Sequence, residues 1–140
     1  MGNALGNSYY YVRVCRCGSA ARRNSFAEIC LRCKAVVRLA KLLGLPMLAM
    51  DDREEYAGQL RAAGADTVLC QPFEAALEQV PGGSETYFVV VTRAHAFDVV
   101  CLEKILRKPA AYVGMMGSKG RAALVRRQLL EQGMDAPRVE

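Results

Sequence analysis

The chain has no tryptophan, one histidine and, in its first 44 residues, a single acid (Glu28) against eight lysines and arginines. Each scarcity excludes something. No apolar run approaches the roughly 20 residues that a bilayer-spanning helix needs, so no membrane span is expected. The opening MGNALGNSYYY lacks a basic segment followed by an apolar one, which argues against a secretory leader. Gly6 stands where a myristoylation signal has Ser or Thr. Six cysteines without an export signal predict reduced thiols in the cytoplasm. The net charge of +5 is not spread evenly: residues 1–44 carry +7 and residues 45–140 carry −2. The basicity therefore belongs to an opening segment, 1–34, whose composition differs from that of the domain that follows at 35–140.

At 140 residues and 52% hydrophobic, the chain can bury one real core. Apolar, mostly β-branched runs alternate with segments of helical spacing about every 20 to 25 residues, the rhythm of a parallel α/β sheet. Strands are predicted at Tyr9–Cys17, Met47–Met50, Thr67–Cys70, Phe88–Val91 and Ala111–Val113. Helices are predicted at Phe26–Leu43, Tyr56–Ala63, Phe73–Gln79, Ala96–Arg107 and Lys119–Gln132, several stopped by Gly or Pro. The tail from Met134 is read as polar and without a strand. The expected fold class is α/β, a three-layer Rossmann-like domain with a mainly parallel sheet.

Four groups of residues could carry chemistry. The most informative stretch is YFVVVTRAHAFD, where Thr92 closes a strand and Arg93, His95 and Asp98 follow at the start of a helix. Ligands of open α/β sheets bind at such carboxyl ends. The trio could hold an anion or act as acid and base; equally, His95 could cap the helix and Asp98 offset its dipole. Asp51 and Asp52 close the Met47–Met50 strand, where a dinucleotide-binding unit places an acid for a ribose hydroxyl. A helix cap with solvated charge is the plainer account. The G-x-G-x-x-G phosphate loop that should precede such an acid is missing, since Gly18 is the only glycine between Gly6 and Gly44.

Further on, Gly114, Gly117, Ser118 and Lys119 form a second glycine loop at a strand-to-helix turn, which could cradle a phosphate or be a tight turn. Cys15, Cys17, Cys30 and Cys33 could hold zinc tetrahedrally, although the first pair has one intervening residue. Cys70 and Cys101 read as buried apolar residues.

The segments AVVRLAKLLGLP, DDREEYA, CQPFEAALEQV, VVVTRAHAFD and LRKPAAYVGMMGSKGRAALVRRQLLEQGMD together resemble the Rossmann-type domain of the xanthine dehydrogenase accessory family (XdhC/CoxI), over about Ala35 to Glu140. The resemblance implies a cytoplasmic accessory factor, not an enzyme. Such a factor binds molybdenum cofactor (molybdopterin), protects it through sulfuration and hands it to a xanthine dehydrogenase-type molybdenum hydroxylase. A cysteine desulfurase and a second copy of the chain are further implied partners. Arg93, His95, Asp98, Gly114, Gly117 and Ser118 would line the crevice, and Asp51 would meet a ribose if the cofactor carries a nucleotide.

The chain departs from the family pattern in several places. CLRCK and an arginine-rich segment replace the family's first glycine signature, and Ala94 stands where Gly is usual. The family's last strand and helix, and its separate N-terminal domain, are not represented, which suggests an incomplete domain with a frameshifted or fused opening. Two other classes remain open on the residues: an NAD(P)-binding oxidoreductase, opposed by the missing glycine loop, and a zinc-stabilised nucleic-acid-binding module using the +7 segment.

If the trio binds an anionic pterin phosphate, Arg93→Ala costs roughly 1.5 to 3 kcal/mol of affinity and under about 0.5 kcal/mol of stability. Titration of cofactor with parallel urea melts measures both, and equal affinity in the variant and the parent rejects a binding role for Arg93.

Overall fold

Alternation of strand and helix along the chain is what the computed structural model shows. It describes residues 11–16, 31–92 and 95–139, with side chains at 34–92 and 96–139. The elements are β1 (Tyr11–Arg16), α1 (Leu31–Leu42), β2 (Met47–Met50), α2 (Glu54–Ala63), β3 (Thr67–Leu69), α3 (Phe73–Glu78), β4 (Tyr87–Thr92), α4 (His95–Ile105), β5 (Tyr112–Met115), α5 (Lys119–Glu131) and α6 (Ala136–Val139). All strand pairs are parallel and the order is β3-β2-β1-β4-β5. This is the strand order of a Rossmann sheet, which reverses direction between β1 and β4.

A parallel sheet is stable only when helices cover both faces, and the strand sequences show how that is met. In β2, Met47 and Ala49 face α1 and α2 with Val37, Tyr56 and Leu60. Leu48 and Met50 face the other way, into a larger core with Phe73 and Leu77 of α3, Leu102 and Ile105 of α4, and Val125 and Leu129 of α5. Phe88 and Val90 of β4 join that larger core, while Val91 joins the smaller one. The three-layer architecture expected from the sequence is therefore present.

Several boundaries differ from the sequence reading. Gly114 is not in the turn: it lies within β5, paired with Val89, and its missing Cβ leaves room for the Tyr112 ring. The tail is not wholly irregular, because Ala136–Val139 forms one helical turn. Pro137 suits a first turn, where its lost N–H has no intrahelical partner, and Arg138 Nη1 donates to the Leu106 carbonyl at 2.7 Å. Cys70 is half-buried where full burial was expected, because β3 ends before it and Glu54 lies beside it. Cys101 is fully buried, which pushes its thiol up to about 12. No helix among the described residues is long and apolar enough to cross a membrane.

At the amino ends of β4 and β5 the chain is sutured to itself. Gly83 N donates to the Pro109 carbonyl at 2.8 Å and Ala111 N to the Thr86 carbonyl at 2.8 Å. Gly82 makes this approach possible: its φ is +75, and a Cβ there would stand 2.5 Å from the Pro109 oxygen. Gly82→Ala is expected to lose about 1 to 3 kcal/mol of stability. Gly58→Ala, inside α2 with no atom near the added Cβ, is expected to gain about 0.5 to 1 kcal/mol. Urea melts of the two variants check the pair, and a shift of the same sign in both refutes it.

Candidate functional site

The carboxyl ends of β1, β2, β4 and β5 and the starts of α2, α4 and α5 share one end of the sheet. At the end of β2, Asp51 is fully buried. Its Oδ1 accepts the Arg53 backbone N–H at 3.1 Å and Arg53 Nε at 3.0 Å, and its Oδ2 accepts Arg53 Nη2 at 3.3 Å. Burial pushes the Asp51 carboxyl upward from its usual range, and Arg53 pulls against that shift. Burial works against the Arg53 charge, yet the Asp51 carboxylate outweighs it and holds the guanidinium more firmly protonated. The guanidinium also lies over the Tyr56 ring, 3.7 Å from its centroid, a favourable cation–π geometry. Asp52 is half-buried, and its Oδ1 is buried with no hydrogen-bond partner among the described residues, 3.7 Å from Arg53 Nε.

At the end of β4, Thr92 and Asp98 are both buried. The Thr92 hydroxyl donates to Asp98 Oδ1. Arg121, from the first turn of α5, donates through Nε to Asp98 Oδ2 at 2.6 Å. Its Nη2 donates to the Thr92 carbonyl at 2.8 Å and to Thr92 Oγ1 at 3.0 Å. One cluster thus joins a strand end to the starts of two helices. Ser118 is the N-cap of α5, its Oγ accepting Arg121 N–H at 3.2 Å. Gly117, Ser118 and Lys119 are exposed, and the first turn of α5 contains no acid.

Of the residues singled out in the sequence, Asp51 and Asp52 meet at β2, and Thr92, Asp98, Gly117, Ser118 and Lys119 gather around β4 and β5. Gly114 lies one step back within its strand. His95 opens α4, but its side chain, like Arg93, lies outside what is described. Cys15 and Cys33 fall in β1 and α1 with undescribed side chains, and Cys17 and Cys30 lie outside the described residues, as do all of residues 17–30.

The profile of the XdhC Rossmann domain family matches residues 32–140. The chain belongs to that family. No curated protein matches it. Among solved structures it is similar to a chain described as a xanthine dehydrogenase from Bacillus halodurans, with 19% identity and a TM-score of 0.64. That alignment covers 93% of this chain and 35% of the other, so the chain spans about a third of its solved relative. At this identity the likeness concerns the fold.

Within this XdhC Rossmann domain, sequence reasoning missed two residues, Arg121 and Arg53. Arg121 had a readable signal. It stands on one helical stripe with Val125 and Leu129, both buried, so an arginine was aimed inward and needed a partner. Arg53 follows Asp51 by two residues, the spacing at which a carboxylate accepts the backbone N–H two positions on.

Both Asp98 oxygens are engaged inside the protein, Oδ1 by the Thr92 hydroxyl and Oδ2 by Arg121. Arg121→Ala strands a buried carboxylate and is expected to cost about 3 to 5 kcal/mol. Asp98→Ala is expected to cost less, because the Arg121 side chain is 21% exposed and can turn to water. The double variant should lose less than the two single losses together. Urea melts of the three variants measure this, and strict additivity would show that the two residues do not act as a pair.

Proposed function

We propose that this domain is an accessory factor for a xanthine dehydrogenase-type molybdenum hydroxylase, binding molybdenum cofactor as cargo at the carboxyl ends of β1 and β4. Membership of the XdhC Rossmann family over residues 32–140 is the observation that carries this reading. The described side chains suit an anionic, phosphate-bearing cargo. Helix N-termini attract anions through their unpaired N–H groups and dipole, and those of α4 and α5 open at this end of the sheet. The one acid in the first turn of α4, Asp98, is neutralised by Arg121. Lys119 and the Ser118-capped turn stand exposed beside it. Arg93, next in sequence to Thr92, and His95, which opens α4, complete the binding set in this reading. The domain contributes binding and shelter; the cargo supplies the metal chemistry in the client, after sulfuration with a cysteine desulfurase as sulfur donor.

Purification of the full chain from cells that make molybdenum cofactor, followed by mass spectrometry of the released pterin, tests this. Bound pterin is expected with the parent chain. Lys119→Glu, at an exposed position, should lower it by about ten-fold, equivalent to 1.4 kcal/mol, with an unchanged urea midpoint. Absence of pterin from the parent chain rejects the proposal.

A further inference from the structure

We propose that Arg53 is a specificity-determining residue that withholds Asp51 from a ribose diol. An acid at the end of the second strand of a Rossmann unit ordinarily accepts hydrogen bonds from ribose hydroxyls, and Asp51 occupies that position. Here its exposure is 0%. Both carboxylate oxygens are engaged by Arg53, through the backbone N–H, Nε and Nη2. The guanidinium that closes the site is itself fixed on its other side by the Tyr56 ring, which is 7% exposed.

A ribose hydroxyl is a neutral donor. To reach Asp51 it would have to displace a bidentate pair in which both partners are charged, and a cation–π contact, while offering hydrogen bonds in which only the acceptor carries charge. Asp52 does not replace Asp51 as a diol acceptor. Its one buried oxygen, unpartnered among the described residues, lies 3.7 Å from Arg53 Nε, within the attraction of the same cation. The site geometry is thus that of a Rossmann sheet whose nucleoside end is shut by its own side chain. The inference concerns the β2 end alone and stands apart from the identity of the cargo at β4.

The test is calorimetric titration of the full chain with NAD⁺ and with NADP⁺. The proteins are the parent, Arg53→Met, which keeps an unbranched side chain beside Tyr56 without the charge, and Arg53→Met combined with Asp51→Asn. Arg53→Met is expected to bind NAD⁺ at least about ten-fold more tightly than the parent, and the double variant is expected to lose that gain. If urea melts show Arg53→Met unfolded, Arg53→Lys carries the test. A point charge cannot hold both carboxylate oxygens, so a gain of about three-fold is expected. Equal NAD⁺ affinity in the parent and the Arg53 variants overturns the proposal, as does a lack of nucleotide binding in every protein. Preference of the parent for NADP⁺, lost in Arg53→Met, overturns it too, since Arg53 would then read a 2′-phosphate. Pterin co-purification reports on the cargo site separately, so failure of one reading leaves the other standing.

Discussion

The tie between Arg121, Asp98 and Thr92 is the interaction on which this end of the domain depends. A parallel sheet leaves its carboxyl edge to be organised by whatever follows each strand. Here the last residue of β4 accepts from Arg121 of α5 through its carbonyl and hydroxyl oxygens, and its hydroxyl also donates to the first turn of α4. Two successive helices are thereby indexed to one strand. With Asp98 wholly buried, the cation that satisfies it is obligatory. The positions of the exposed Ser118 turn and the start of α4 follow from that single requirement.

How far the sequence carries the fold can be judged element by element. Met47–Met50, the Phe88–Val91 centre of β4 and the long helices were legible because runs buried on both faces and 3.6-residue stripes are physical necessities of a doubly covered sheet. The position of Gly114 was not, because a glycine beside a strand reads as punctuation, whereas here it makes room for the Tyr112 ring on the strand itself. The helical turn at Ala136–Val139 was missed because four residues carry no periodicity; its Arg138 finds the Leu106 carbonyl just past the end of α4, a contact 32 positions away in the chain.

The site was legible in outline only. Strand ends and acids could be located, since a carboxyl edge followed by polar residues is a local pattern. Whether an acid faces solvent or the interior depends on its partner, and partners are set by tertiary packing. Asp98 and Arg121 lie 23 positions apart, and only the shared stripe with Val125 and Leu129 hints that Arg121 points inward. Asp51 and Arg53 are neighbours in sequence, yet the outcome there also depends on Tyr56, which fixes the guanidinium from the far side.

The suture at Gly82 and Pro109 has a consequence for how the molecule opens. It clamps the amino ends of β4 and β5 through the Gly83 and Ala111 backbone N–H groups. Those strands are thus held at the base by these main-chain bonds and at the top by the Met116 N–H, which donates to the Val90 carbonyl at 2.9 Å, with the Arg121 side chain added at the end of β4. The side-chain bonds at the rim can open without breaking the β4–β5 ladder, so local opening is expected there rather than at the base. In amide exchange, Gly83 and Ala111 would be slow landmarks well outside the ligand end, and a local change in ligand state would register in the rim amides while leaving those two untouched.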